Sequence, residues 1–183
     1  MKKTYNSNNT DTKGYVQVYT GNGKGKTTAS FGLALRAAGA GKKVFIGQFV
    51  KGQIYSEVNA VEKFLSDYVT IKQYGLDCFI TKEPKQEDIE AAKAGLKEME
   101  EIIISGKYDL IIMEEANIAV YFKLFSIQEL IDVINKKHEA TEIIVTGRYA
   151  APEMIERADL VTEMREIKHY YQKGVQARLG IEY

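Results

Sequence analysis

The chain has few of the features that mark secreted or membrane-bound proteins. Its 183 residues include one cysteine, Cys78, so no disulfide can form within the chain. A single cysteine is typical of proteins from reducing compartments. No apolar run approaches the roughly 20 residues of a membrane-spanning helix. Residues 1–13 are polar and lack the apolar core of a signal peptide. We therefore expect a cytoplasmic protein with no membrane partner, and we interpret residues 1–13 as a flexible arm.

An excess of charge of either sign is also missing. The 25 Lys and Arg residues equal the 25 Asp and Glu residues in number. This balance argues against a surface that coats nucleic acid, although a local basic patch stays open. There are only two prolines, Pro84 and Pro152, and each precedes a helix-like segment rather than a linker. The length therefore suits one domain, residues 14–183, with a sizeable core.

The most informative segment that is present is a glycine-rich turn, Thr20-Gly21-Asn22-Gly23-Lys24-Gly25-Lys26-Thr27-Thr28. It lies between a strand-like run, residues 15–19, and a helix-like run, residues 29–38. Glycines at such a turn let backbone N–H groups converge on phosphate oxygens, and the helix N-terminus adds a positive partial charge. Lys26 is then placed to reach phosphate, and the Thr27 hydroxyl to bind Mg²⁺. The segment predicts a nucleoside triphosphate site.

The turn departs from the general pattern G-x-x-x-x-G-K-[ST] at its first position. Thr20 stands where a glycine belongs, so Gly21 and Gly23 must supply the backbone freedom, and Lys24 adds an extra cation inside the loop. The alternative is a glycine-rich hairpin turn with charged neighbours. The phosphate loop is favoured because strand, loop, Gly-Lys-Thr and helix occur in the required order.

Strand-like and helix-like segments alternate along the rest of the chain, which is typical of an α/β domain with a mostly parallel sheet. The later strands are expected at residues 44–50, 69–74, 108–115, 142–146 and 160–164. The later helices are expected at residues 56–65, 84–105, 126–137 and 152–158. Such sheets bind ligands at the carboxyl ends of their strands. Polar residues that follow these strands should therefore lie near the phosphate loop.

Two glutamates, Glu114 and Glu115, end the apolar strand. An acidic residue at this place holds Mg²⁺ in P-loop proteins. We favour Glu115, and the alternative is an exposed acidic strand end. Arg148 follows the next strand, where it is either a cation for phosphate or a solvated loop residue. Lys51 leaves the same two alternatives open.

Together these motifs resemble the P-loop ATP:corrinoid (cob(I)alamin) adenosyltransferase family of cobalamin synthesis and salvage. The similarity runs from about Tyr15 to the last residue. It rests on the loop and on Gln48-Phe49-Val50-Lys51-Gly52, Thr146-Gly147-Arg148, Lys168-His169, Gly174-Val175-Gln176-Ala177-Arg178 and Gly180-Ile181-Glu182-Tyr183. The resemblance implies a single P-loop NTPase-like (RecA-like) α/β domain, with helices on both faces of a mainly parallel sheet.

The resemblance also implies a reaction, in which Co(I) of a corrinoid attacks C5′ of ATP, gives adenosylcobalamin and releases triphosphate. The nucleophile belongs to the corrinoid, so the protein needs no catalytic serine, cysteine or base. It must stabilise the leaving triphosphate, which suits a lysine-bearing loop with Mg²⁺. The implied catalytic residues are Lys26, Thr27 and Glu115. The implied partners are ATP, a corrinoid, a reduced flavin or flavoprotein as electron donor, and a second copy of the chain in a homodimer.

Two positions depart from the family's pattern. Glu114 stands where the family usually has aspartate. Relatives often carry a Gly-Phe-x-Trp segment whose aromatic side chains pack against the corrin, but this chain has no tryptophan. Phe79 is the best candidate for that contact and Leu76 a weaker one. The alternative for Phe79 is a place in the core.

Two other functions stay open at this stage. A P-loop small-molecule kinase or ATPase would form ADP rather than triphosphate. It would also need a residue that positions water or a hydroxyl, and the sequence does not identify one. A non-catalytic module that binds ATP is the third possibility, and it would have no affinity for a corrinoid.

Overall fold

A computed structural model describes residues 13–76 and 83–183 of the chain. In these residues six strands form one sheet in the order β3-β2-β4-β5-β1-β6, and every pairing is parallel. The strands are β1 (Val16–Thr20), β2 (Val44–Gln48), β3 (Val69–Gln73), β4 (Leu110–Glu114), β5 (Glu142–Thr146) and β6 (Leu160–Glu163). The expected α/β domain with a parallel sheet is confirmed.

Helices connect the strands. They are α1 (Lys26–Gly39), α2 (Ser56–Ala60), α3 (Gln86–Ser105), α4 (Ala116–Tyr121), α5 (Ile127–Ile134) and α6 (Pro152–Arg157). Helix α2 continues as a π-helical turn over Val61–Leu65, and a short 3₁₀ turn covers Tyr170–Lys173 near the C-terminus. Parallel strands need crossovers of this kind, because the chain must return to the same end of the sheet.

Several predicted boundaries were wrong. Strand β2 stops at Gln48 instead of Val50, because Val50 has a φ of 60° and cannot continue a strand. Helix α3 begins after Lys85, whose backbone N–H donates to Asp88 Oδ2 at 2.8 Å, rather than at Pro84. Helix α5 ends at Ile134, three residues before the predicted end. Helix α4 was not predicted, because a buried apolar segment of six residues shows no clear period.

Apolar side chains cover both faces of the sheet, as expected. In β4, Ile111 and Met113 belong to the core cluster shared with α3, α4, α5 and α6. Their neighbours Leu110 and Ile112 belong to the opposite cluster, which contains α1. All five residues of β4 are buried. This two-sided burial explains the continuous apolar pattern of the strand.

No helix in the described part of the chain is both long and apolar enough to cross a bilayer. Two of the sequence interpretations lie outside the described residues. They concern Phe79 and the arm at residues 1–13, of which only Lys13 is described.

Candidate active site

Four neighbouring strands, β2, β4, β5 and β1, end at one edge of the sheet and carry the polar motifs there. A pocket of about 660 Å³ lies at this edge. It brings together these residues from the sequence analysis: Gly23, Lys24, Gly25, Lys26, Thr27, Thr28, Lys51, Glu115 and Arg148. Thr20, Gly21 and Asn22 belong to the same loop but do not line the pocket. Leu76 does not line it either, and its side chain is exposed.

The structure of the phosphate loop shows why Thr20 can replace the first glycine of the general pattern. Thr20 is the last residue of β1, so its backbone is extended and needs no glycine. Its buried Oγ1 accepts a hydrogen bond from the N–H of Ala150 at 3.3 Å, which ties the loop to the segment after β5. The left-handed turn begins one residue later, at Gly21 (φ 93°). A Cβ there would lie 2.5 Å from the backbone oxygen of Met164, so only glycine fits.

Lys26 is buried within the loop. Its Nζ donates hydrogen bonds to the backbone oxygens of Gly21 at 2.7 Å and Gly23 at 2.8 Å. Burial lowers the pKa of Lys26 below its ordinary value, an effect opposed by the carboxylate of Glu115. Lys26 and the half-buried Thr27 beside it both line the pocket.

Glu115 projects from an unusual backbone conformation. It is the residue before α4 and has a φ of 58°, while its N–H donates to Thr146 Oγ1 at 3.1 Å. Burial raises the pKa of the Glu115 carboxyl, and the nearby Glu114 raises it further. Lys51, Lys26 and Arg148 act in the opposite direction. Glu115 is therefore an acidic group surrounded by the cations of the pocket.

Glu114 is placed differently from its neighbour. Its side chain is fully buried, with Oε2 accepting from Gln48 Nε2 and Oε1 accepting from Lys51 Nζ at 3.0 Å. Both carboxylate oxygens thus have protein partners beneath the pocket. Glu115 lines the pocket itself. The two adjacent acids have separate surroundings because β4 ends between them.

The residues suit Mg²⁺ held chiefly by a substrate. The described residues contain no cluster of three or more His, Cys, Asp or Glu that could bind a metal by themselves. Mg²⁺ usually binds one or two carboxylates together with substrate phosphates and water. The Thr27 hydroxyl and the Glu115 carboxylate line the same pocket and match that donor set.

The C-terminal segment forms one wall of the pocket, which the sequence analysis did not foresee. Residues 180–183 line the pocket together with His169. Lys24 Nζ donates to Glu182 Oε1 at 2.8 Å, to the Ile181 backbone oxygen at 2.9 Å and to Tyr170 Oη at 3.2 Å. No periodic pattern in the sequence indicates this contact. The matching motif at the C-terminus was the one available signal.

The α2 region forms a further wall. Phe31 of α1 also lines the pocket, as do Tyr55, Ser56, Glu57 and Ala60 around the start of α2. Ser56 is the first residue of this helix, and Tyr55 is the residue before it. The Ser56 hydroxyl donates to the backbone oxygen of Tyr183 at 3.0 Å, which joins α2 to the C-terminal segment.

The fold and this loop define a P-loop nucleotide-binding α/β domain. A family model described as ATP:corrinoid adenosyltransferase BtuR/CobO/CobP matches residues 12–183. The chain therefore belongs to the ATP:corrinoid adenosyltransferase family, as its motifs indicated, and it is a transferase.

Curated relatives agree with this assignment. The chain is 33% identical over 173 residues to a corrinoid adenosyltransferase of Pseudomonas aeruginosa, covering 94% of this chain and 85% of that protein. It is 32% identical over 174 residues to the corrinoid adenosyltransferase of Escherichia coli K12, with 94% and 87% covered. The corrinoid adenosyltransferase CobA of Salmonella typhimurium is 33% identical over 172 residues, with 93% and 86% covered. These similarities do not favour the kinase or ATPase alternative.

Proposed function

We propose that this protein transfers the 5′-deoxyadenosyl group of ATP to the Co(I) centre of a corrinoid and releases triphosphate. The observation that carries the proposal is the pocket at the ends of β1, β2, β4 and β5. There the phosphate-loop residues Lys26 and Thr27 line the same pocket as Glu115. Family membership supplies the substrates, ATP and a corrinoid.

The reaction needs stabilisation of charge more than it needs an acid or base. The cobalt electron pair forms a bond to C5′ while the C5′–O bond breaks, and the bonding electrons leave with the triphosphate. Cobalt is thereby oxidised from Co(I) to Co(III). Lys26, Lys24 and Arg148 supply positive charge near the leaving group, and the N–H groups of the loop bind its oxygens.

Bound Mg²⁺ supplies further neutralisation of the triphosphate charge. Thr27 and Glu115 would hold it. Mg²⁺ needs the ionised carboxylate, which burial disfavours and which Lys51, Lys26 and Arg148 favour. Nucleotide contacts are proposed for the whole loop from Thr20 to Thr28.

The corrinoid contacts are proposed for Phe79 and Leu76. Leu76 is an exposed apolar side chain that follows β3, at the same end of the sheet as the pocket. An exposed apolar residue there suits the apolar face of a corrin ring. A bound ring would remove it from water.

We also propose the partners that the family resemblance implies. A corrinoid that arrives as Co(II) must gain one electron, which a reduced flavin or flavoprotein can provide. A homodimer is supported by β6, an edge strand with exposed Leu160 and Val161. A cytoplasmic location fits a chain whose described residues contain no membrane-spanning helix.

The test is an anaerobic reaction with chemically reduced cob(I)alamin, ATP and Mg²⁺. We expect a light-sensitive alkylcobalamin spectrum and one triphosphate for each cobalamin converted. Lys26→Ala and Thr27→Ala should abolish turnover with the fold intact. Thr162→Ala removes an exposed threonine on β6 and should turn over like the wild type. ATP bound without spectral change, or ADP as the product, would contradict the proposed function.

A further inference from the structure

Lys51 is a pocket cation whose role the sequence left open. It follows β2, whereas the loop lysines follow β1, and β4 and β5 lie between those two strands. Neighbouring strands lie about 4.8 Å apart, so the ends of β1 and β2 are separated by roughly 14 Å. Lys51 thus approaches the pocket from the side opposite the phosphate loop. Its Nζ is also 5.0 Å from the centre of the Tyr55 ring, which lines the same pocket.

The backbone that presents Lys51 is strained. Val50 has a φ of 60°, a left-handed conformation that is costly for a β-branched residue. Gly75 packs directly against this turn, and a Cβ on Gly75 would lie 2.4 Å from the backbone nitrogen of Lys51. Strain of this kind persists only where surrounding contacts impose it, and it is concentrated at functional sites.

A buried network then orients the Lys51 side chain. Gln73 Nε2 donates to Gln48 Oε1 at 3.1 Å, and Gln48 Nε2 in turn donates to Glu114 Oε2. The second oxygen of Glu114 receives Lys51 Nζ at 3.0 Å. Glu114 is completely buried, while the Lys51 side chain is 14% exposed, so the cation is the end of the pair that meets the pocket.

The contacts of Lys51 leave donor capacity for a ligand. An ammonium group has three N–H donors. One is directed to Glu114, and the next carboxylate, Glu57 Oε1, lies at the longer distance of 3.8 Å. A cation at one side and loop N–H groups at the other suit an extended anion better than a single phosphate group.

We propose that Lys51 is a direct ligand of the ATP triphosphate, held in place by Glu114. This inference rests on the proposed function, because it assigns a residue to the same phosphate site. Glu114 acts through Lys51 and is a positioning residue. The competing explanation is that Lys51 only neutralises a buried carboxylate.

The test measures binding of inorganic tripolyphosphate and of ATP by calorimetry, without turnover. Lys51→Met should weaken both by about 10- to 100-fold, the range for a hydrogen bond to a charged group. Lys51→Arg should restore most of the affinity. Lys93→Met removes an equal charge from an exposed pair with Glu129, outside the pocket, and should bind like the wild type.

Lys51→Met leaves Glu114 buried without a cation, which could impair folding. The double variant Lys51→Met/Glu114→Gln removes both charges together and keeps an acceptor for Gln48. It should fold and still bind tripolyphosphate at least 10-fold more weakly than the wild type.

Unchanged affinity in the double variant, with an active wild type, would overturn the role of Lys51 and leave the proposed function standing. A wild type that binds neither tripolyphosphate nor ATP would overturn the phosphate site itself, and both proposals with it.

Discussion

Lys24 Nζ lies 2.8 Å from Glu182 Oε1, so a lysine of the phosphate loop is already paired with the C-terminal segment. Glu182 also accepts hydrogen bonds from Arg178 and Tyr170. These partners, Arg178 foremost, hold the pKa of the Glu182 carboxyl well below its ordinary range. A phosphate group that binds Lys24, as proposed above, would have to compete with this carboxylate, and the C-terminal segment would then be coupled to nucleotide binding.

Glu182→Gln should therefore strengthen tripolyphosphate binding by a few-fold, because Lys24 loses its negatively charged partner. The effect is small because exposed ion pairs are weak. Calorimetry at low and high salt would measure it, and the gain should shrink as salt screens the charges. Lys24→Met should abolish the gain when it is combined with Glu182→Gln. Weaker binding by Glu182→Gln would show instead that the C-terminal segment helps to hold the ligand.

Gly75→Ala should damage the turn that carries Lys51. The added Cβ would lie 2.4 Å from the backbone nitrogen of Lys51, so the backbone must shift. This shift should lower the free energy of unfolding by about 1–3 kcal/mol. The matched control is Gly32→Ala in α1, where no atom lies within 4 Å of the new Cβ. That change should stabilise the helix by about 0.5–1 kcal/mol. Urea unfolding would separate the two variants, and equal stabilities would contradict the packing seen at Gly75.

Glu115 predicts a pH dependence of stability in the protein without ligand. Burial raises its pKa in the folded state above the ordinary 4.5. Between pH 4.5 and the raised pKa of the folded state, the folded protein binds more protons than the unfolded chain. The free energy of unfolding therefore falls as pH rises through this range. Glu115→Gln removes the ionisation. Its melting temperature should exceed that of the wild type at pH 7.

The difference in melting temperature should diminish as pH falls below 4.5, where both states of the wild type hold the proton. Glu163→Gln, an exposed change on β6, is the control for loss of a negative charge. A lower melting temperature for Glu115→Gln at pH 7 would show that the pocket cations outweigh burial.

Tyr74→Phe should leave the protein equally stable or stabilise it by about 1 kcal/mol. The Tyr74 hydroxyl is buried without a hydrogen-bond partner among the described residues, and burial raises its pKa. Its ring contacts Phe49 and packs against Gly95, and phenylalanine preserves both contacts. By contrast, Tyr19→Phe loses a bond of 2.7 Å to Gln17 and should cost about 0.5–1.5 kcal/mol. Thermal unfolding of both variants tests the comparison.

Much of the fold was predictable because its signals are local. The apolar run that became β4 is buried on both faces, and the turn from Thr20 to Thr28 joins a strand to a helix in a characteristic order. The end of β2 and the start of α4 were not predictable. Val50 and Glu115 adopt left-handed conformations that their residue types disfavour, and only tertiary contacts impose them.

The sequence by itself determined the parallel α/β fold, the phosphate loop and the family, because periodicity and motif spacing act over short stretches of chain. The tertiary structure alone decided how the pocket is completed. It placed Lys51 on buried Glu114, 63 residues away, and Glu182 on Lys24, 158 residues away. Such pairs depend on strand order and on where the chain returns, and no local pattern of residues encodes either.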